Sequence, residues 1–466
     1  MTKYNIKTIA AATLMAAAAW TVAACTSEED DIFSQSAAER LNEVSGIYSE
    51  RLTQSPGGWI MEYYPYTDNE DLLTGTGYLI ANRFYRNGAV VTAMKNAASY
   101  NTLWTDSSAW QVLTYMGPVL TYNSYNRCLG RFSDPDDLDL TPGRYDDESG
   151  KGFQGDYEFV MVDVPEGGQH IMLKGVKRGL YHRLTRLPQG TDFEAYLDSI
   201  TAFRTKMFVK DARWELVMTV DGQRFRMNRQ DRGLSTVYPE GSDSTTYGWH
   251  MPFLVTKYDD RYHLRFKDTV MYEGVLMEQE FAYDPDQDKF VGMKNAANTI
   301  EGYPAPRFFS ESLASAHKFQ MTQATEKSEQ MADLYSKLTA AMQSTMKYAL
   351  SNVQLLENKT DGEDQAARQM VLRLTYRAKR GAQTVTQAIS VVYDALLTDD
   401  GFTLSNMQPE ETTAKVIERV PEVETFARTF LGTFTVKPAA VAFDLFTLRL
   451  QKADDANLWT NMSYNN

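Results

Sequence analysis

Short β-prone runs punctuated by tight-turn residues, and interrupted at long intervals by amphipathic helical stretches, constrain this chain more than any other feature. The clearest instance is Phe84-Tyr85-Arg86-Asn87-Gly88-Ala89-Val90-Val91. There Asn-Gly joins two β-prone segments, and both residues accept the positive φ that a two-residue hairpin turn demands. Similar runs fall at residues 59–65, 77–85, 89–94, 119–122, 156–164, 170–175 and 180–187. Gly167-Gly168 and Lys177-Arg178-Gly179 occupy turns between them. This spacing predicts an antiparallel meander, because parallel strands would need a crossover helix between each pair. A second meander is predicted at 214–220, 224–228, 253–258, 262–267, 276–283 and from 290, with Asp259-Asp260 and Asp284-Pro285-Asp286 at its turns. A third is predicted at 347–356, 369–378, 384–393, 433–437 and 441–450, followed by a polar tail.

Helical period replaces strand period in a few places. In residues 34–54, Leu41, Val44, Ile47, Tyr48 and Leu52 recur at threes and fours, with Ser36 and Glu39 placed as a capping box and Pro56-Gly57-Gly58 as a stop. Residues 192–208 carry Phe193, Tyr196, Leu197, Ile200, Phe203 and Met207 on one face, with Thr191 or Asp192 as the cap. Residues 324–345 do the same with Met331, Leu334, Tyr335, Leu338 and Met342. A helix over 410–430 is kinked or split by Pro421, and residues 300–310, with Pro304 and Pro306, read as a connection. The expectation is an α+β, β-dominated chain of two or three modules, each an antiparallel meander preceded by a helix, at 37–190, 191–306 and 307–466. The pentapeptide Met94-Lys95-Asn96-Ala97-Ala98 recurs as Met293-Lys294-Asn295-Ala296-Ala297 and raises duplication of the first two modules as a question.

The N-terminus points to export. Lys3 and Lys7 precede an Ala-rich apolar run from Ile9 to Trp20, and small residues lead to Val22-Ala23-Ala24-Cys25. A basic start, a short apolar stretch and small residues before a cut make a secretory signal. The run is too short to span a bilayer, which takes about 20 apolar residues. Ending at a cysteine, it resembles a bacterial lipobox. The resemblance implies a signal peptide over 1–24, acylation (palmitate among the chains) of the Cys25 sulfur and an acidic tether over 25–36. Glu28-Glu29-Asp30-Asp31 resembles the tag of Bacteroidetes lipoproteins carried to the outer face of the outer membrane. With Cys25 acylated, the only other cysteine, Cys128, has no partner. Stability must then come from cores, which 466 residues can build. The formal charge of -14 repels phosphate backbones and anionic lipid. Nucleic acid is therefore excluded as a partner, and attachment to the membrane is assigned to the lipid.

A wider resemblance covers residues 31–187. It is carried by Ser55-Pro56-Gly57-Gly58-Trp59-Ile60-Met61-Glu62-Tyr63-Tyr64-Pro65, by Gly117-Pro118-Val119-Leu120-Thr121-Tyr122-Asn123-Ser124-Tyr125-Asn126, by Gly155-Asp156-Tyr157-Glu158-Phe159 and by Ile171-Met172-Leu173-Lys174-Gly175. These stretches resemble a family of Bacteroidetes surface lipoproteins defined by a domain of unknown function. Its members are often encoded beside starch-utilisation-type uptake pairs. The family supplies no site residues.

Motifs for chemistry are sparse. Gly150-Lys151-Gly152-Phe153-Gln154-Gly155 fits G-x-G-x-x-G, but an acidic loop precedes it and a strand follows, whereas a dinucleotide site needs the reverse setting of strand and helix. Asp134, Asp136, Asp137 and Asp139, the group Asp146, Asp147 and Glu148, and the alternating Asp284, Asp286 and Asp288 are candidate calcium ligands, though the glycine and closing glutamate of an EF-hand are missing. His170, His182, His250, His263 and His317 are scattered without a zinc spacing. No metal and no cofactor is assigned. Aromatics crowd two segments: Trp59, Tyr63, Tyr64 and Tyr66, then Tyr115, Tyr122 and Tyr125. Alternation along a strand sends half of each set inward. The outward half is free to stack on sugar rings or grip a protein, and Trp59, Tyr63, Tyr64 and Tyr122 are the candidate ligand contacts. The expected function is a non-catalytic binding or accessory subunit of a glycan or peptide uptake system on the cell surface, with outer-membrane uptake proteins as partners. The rival classes are a surface hydrolase with spatially assembled carboxylates or metal, and an adhesin-like structural protein.

Overall fold

The computed structural model describes residues 36–65, 77–115, 117–134, 153–207, 215–229, 234–242, 248–358, 368–380, 383–440 and 445–465. Cys25 with its lipobox, the acidic tether, Tyr66 and the carboxylates from Asp136 to Glu148 lie outside them.

The first helix, α1 (Ala37–Thr53), begins as its sequence dictates. The Ser36 side chain accepts from the Glu39 N–H, and the Glu39 carboxylate accepts from the Ser36 N–H, so two orphan donors are satisfied reciprocally. Eight strands follow: β1 (Trp59–Tyr63), β2 (Tyr78–Phe84), β3 (Ala89–Met94), β4 (Trp104–Leu113), β5 (Val119–Tyr122), β6 (Glu158–Asp163), β7 (His170–Gly175) and β8 (Tyr181–Arg186). The β2–β3 hairpin turns through Arg86-Asn87-Gly88, one residue longer than a two-residue turn: among them only Gly88 takes a positive φ, 80°, and its N–H donates to the Tyr85 carbonyl. The sheet does not stay open as a meander. β8 pairs back onto β1, Trp59 opposite Arg186, and closes a barrel. Closure removes both sheet edges and encloses a core of Trp59, Met61, Tyr63, Ile80, Phe84 and Phe159, among others. A short helix between β5 and β6, α2 (Arg127–Ser133), adds Leu129 and Phe132 to that core.

A second barrel follows α3 (Phe193–Met207), whose first turn is capped by Asp192 through the Ala195 N–H. Its strands are β9 (Glu215–Val220), β10 (Gln223–Arg229), β11 (Leu234–Pro239), β12 (Trp249–Tyr258), β13 (Arg261–Phe266), β16 (Glu280–Asp284), β17 (Lys289–Gly292) and β18 (Thr299–Gly302). β18 pairs with β9 to close it. A small hairpin, β14 (Met271–Tyr272) with β15 (Val275–Leu276), stands outside the ring. The apolar face of α3 is buried in one core with both barrels: Ile60, Tyr64 and Leu79 come from the first, Leu254 and Phe266 from the second.

The third barrel departs from the expected order. Residues read as a connection form β18 and α4 (Ala305–Ala314), whose Phe308 and Phe309 pack on Phe319 and Phe402. Next comes β19 (Lys318–Met321), and only then α5 (Glu329–Ala341), which runs on through a wider π turn over Met342–Met346. The third long helix therefore sits inside its barrel's strand order, not ahead of it. The remaining strands are β20 (Ala349–Glu357), β21 (Arg368–Arg380), β22 (Gln383–Thr398), β23 (Gly401–Pro409), β24 (Gly432–Pro438), β25 (Thr447–Lys452) and β26 (Trp459–Asn465). Pro421 splits the expected long helix into α6 (Glu411–Ile417) and α7 (Glu422–Arg428). β26 pairs with β19 and closes the ring.

The repeated pentapeptide marks a shared turn. Asn96 Oδ1 accepts from the Ala98 N–H and Asn295 Oδ1 from the Ala297 N–H. One copy follows the third strand of its barrel and the other the seventh, so the two occupy different places in the ring.

Candidate ligand-contact surface

The four aromatics expected at the surface are all buried. On β1 the alternation sends Trp59, Met61 and Tyr63 inward and Ile60, Glu62 and Tyr64 outward. Trp59 donates its indole N–H to the Leu52 carbonyl, Tyr63 its hydroxyl to the Asp156 carbonyl, and Tyr122 its hydroxyl to Asn82 Oδ1. Tyr64 does face out of its barrel, but the second barrel lies on it. Trp59, Tyr63, Tyr64 and Tyr122 are at most 3% exposed. This corrects the expectation: the outward face of β1 is an internal seam, so both halves of the alternation are core.

Tyr125 is 73% exposed and leads to an aromatic surface on the outside of the first barrel. The Asn96 turn delivers Tyr100 and Asn101 in left-handed conformation, φ 54° and 57°, a strained geometry for non-glycine residues. Two residues of spacing then bring Trp104 to the start of β4. Asn126 caps α2 by accepting from the Cys128 and Leu129 N–H groups. That fixes the helix so that the Arg127 guanidinium lies 3.7 Å over the Trp104 ring. Arg131, one turn on, donates to the Ala98 carbonyl and to the Tyr100 hydroxyl. The Tyr125 ring rests on Gly130, where a Cβ would come within 2.8 Å of it. Tyr100, Leu103, Trp104, Tyr125 and Arg127 thus form one surface of ring faces and a guanidinium. Such a surface stacks against the C–H face of a sugar or an aromatic side chain. In the sequence Tyr125 stands among the crowded aromatics but outside the four candidate contacts, and Tyr100 and Trp104 go unmarked. The available signal was two aromatics bracketing the polar Asn101-Thr102 after a turn-forming Asn.

Behind Tyr64 lies a buried charge cluster. Glu62 accepts from Arg183 Nε at 2.9 Å and Nη2 at 2.6 Å, and from Arg265 Nη1 at 2.7 Å. Arg183 also donates to both oxygens of Glu280, at 2.6 and 2.7 Å, and the Tyr258 hydroxyl donates to Glu280 at 2.9 Å. Two carboxylates and two guanidiniums leave the quartet neutral. Burial pushes the Glu280 pKa up, yet the paired Arg183 outweighs it and holds the carboxyl down at about 2. His263 stacks on Tyr258 at 3.6 Å, and His170 meets the same ring edge-on at 5.0 Å. Burial lowers both imidazoles to about 4. His182 lies inside the first barrel, where burial takes it to about 3. Its Nδ1 accepts from the Tyr64 N–H, which puts the proton on an unpartnered Nε2. The four charged groups thus tie the two barrels together, and the His182 and His263 imidazoles are buried.

Asp284 and Asp288 have structural roles. Asp284 accepts from the Asp286 and Gln287 N–H groups and Asp288 from the Tyr283 hydroxyl, all within the β16–β17 turn. Asp134 follows α2, and its acidic neighbours lie outside the described residues. Gly155, the last of the six-residue glycine pattern, packs under Tyr63 and Phe132, and Gly150 to Gly152 lie outside the described residues. Among the described residues no three His, Cys, Asp or Glu side chains gather to hold a metal ion. Cys128 is buried and unpaired.

No curated protein matches the chain. Residues 29–285 match a domain of unknown function, DUF4302. That span starts before α1 and ends after β16, so it takes in the aromatic surface and all four charged groups of the seam. The match covers more than half of the sequence, and the chain belongs to the DUF4302 family.

Proposed function

We propose that the protein is a lipid-anchored lipoprotein on the outer face of a Bacteroidetes outer membrane. There it serves as a non-catalytic binding subunit of a glycan-uptake system. The anchoring half of this reading is supported by the lipobox ending at Cys25 and the acidic residues after it. The barrels are compatible with it, because their interiors are apolar, the reverse of a lipid-facing barrel. Among the described residues no helix is long and apolar enough to cross a membrane.

The binding half is carried by one observation, the surface that exposed Tyr100, Tyr125 and Arg127 form around a half-buried Trp104. Ring faces held by a guanidinium and a helix cap are preorganised, so a ligand does not have to order them. The test is a panel of neutral and acidic oligosaccharides titrated against the intact protein and Trp104→Ala. The expected result is binding that weakens about tenfold in the variant, which corresponds to about 1.4 kcal/mol. Equal binding by both proteins, or none across the panel, would overturn the reading. The anchor is tested separately, by mass spectrometry of the N-terminal residue from the native host and by protease treatment of intact cells.

A further inference from the structure

The long β21–β22 hairpin outruns its neighbours in the third barrel. β22 begins pairing with β21 at Gln383, but its first residue paired with β23 is Val391, opposite Pro409. Residues Gln383 to Ile389 are therefore hydrogen-bonded on one side only. Gln383, Thr384, Thr386 and Ala388 are exposed, so among the described residues nothing covers that edge. An uncovered strand edge is a template for another strand, and proteins usually blunt it with charge, proline or a bulge. This one reads Gln-Thr-Val-Thr-Gln-Ala-Ile, uncharged and β-prone, and its register against β21 is unbroken.

The charge lies one strand inward. Opposite residues of an antiparallel pair face the same side, so Arg373, Arg377 and Lys379 of β21 share the outer face with Ser390, Thr386 and Thr384 of β22. Arg377 and Lys379 are exposed and Arg373 half-exposed. No carboxylate among the described residues pairs with any of the three, in a chain whose formal charge is -14. Strands lie about 4.8 Å apart, so a strand added on β22 sits about 10 Å from β21, within reach of long basic side chains.

We propose that this edge accepts an extended segment of a partner protein carrying carboxylates at alternate positions. Main-chain pairing to β22 supplies affinity, and Arg373, Arg377 and Lys379 supply the sign preference. A second copy of this chain is the wrong occupant. Edge-to-edge pairing of two identical ribbons would bring both cation rows onto one continuous sheet.

The probe is a labelled heptapeptide alternating glutamate and valine between terminal threonines, titrated against the full-length protein with amide hydrogen exchange read in parallel. The expected result is binding about tenfold tighter at 50 mM than at 500 mM salt, with new protection of amides within residues 383–389. Arg377→Glu with Lys379→Glu should lose at least tenfold for this probe and gain for the lysine counterpart. Binding without protection of those amides, or retention on polygalacturonate with the same amides exposed, would make the face a general anion patch and overturn the proposal. So would dimerisation of the protein through this edge, or an unchanged affinity in the charge-reversed protein. Trp104→Ala should leave this binding untouched, which separates the outcome from that of the glycan surface.

Discussion

Glu62 on the first barrel and Arg265 on the second, 203 positions apart in sequence, share a 2.7 Å hydrogen bond across the seam between them. Glu62 is wholly buried and also receives Arg183. Removing one partner of a buried ion pair strands the other charge, at a cost of about 3–5 kcal/mol. Glu62→Gln should therefore lower unfolding stability by that order in denaturant titrations. Glu62→Gln with Arg265→Met should be less destabilised than the two single changes summed, by at least about 1 kcal/mol. Strict additivity would mean that the seam is not coupled as its geometry indicates.

Acid should loosen the same region in two stages. His170, His182 and His263 take up a proton near pH 6.5 when unfolded but only near pH 4, 4 and 3 when folded, in the order 170, 263, 182. The unfolded chain thus holds more protons between those values. Stability is complete above about pH 6.5 and falls as pH drops toward 4, by up to about 1.4 kcal/mol per pH unit for each histidine. Glu280 acts lower down. Its carboxyl is depressed to about 2, so its contribution is present above its ordinary value and is lost as pH falls through 2. Thermal melts from pH 7 to 4 should show the first stage, and His182→Phe should flatten part of it.

Gly130→Ala separates stability from ligand contact. Alanine favours the helix by up to about 1 kcal/mol over glycine. Its Cβ would come within 2.8 Å of the exposed Tyr125 ring and displace it. Melting temperature should hold or rise while affinity for any ligand of the aromatic surface changes. An unchanged affinity would remove Tyr125 from that surface.

The Cys128 thiol should be silent in the native protein. Burial raises its pKa to about 11, and its Sγ donates weakly to the Trp104 carbonyl. Thiolate is the reactive form, so a thiol reagent at pH 8 should leave Cys128 unlabelled until denaturant is added. Rapid native labelling would show that α2 opens away from the barrel.

What could be read in advance divides by physical range. The α1 capping box, the Asp192 cap, the Asn87-Gly88 hairpin and the break at Pro421 each depend on residues within a few positions of one another, and all four were legible. β4, β11, β18, β19, β23 and β26 were not. In β4 exposed Thr105, Ser107, Ala109 and Gln111 alternate with Asp106, Ser108 and Trp110, so neither face reads as an apolar run, and the residues of β26 read as a polar tail. Such strands lack an apolar run because a closed barrel needs only every second residue inside. Closure itself, Trp59 onto Arg186, is a long-range pairing with no local mark. Glu62, Arg183, Arg265 and Glu280 were equally invisible, since each looks like an ordinary surface charge until two barrels meet over it. Tyr64 was misplaced for the same reason.

In the third ring the stave that completes the circle comes last. Gln320 in β19 takes a hydrogen bond from Asn465 in β26 across 145 positions. A polypeptide delivered from its N-terminal end must hold that sheet unsealed, with two raw flanks, until its final strand arrives. Loss of Trp459–Asn465 would then be no trimming. It would leave the hoop permanently open and the chain a target for proteases.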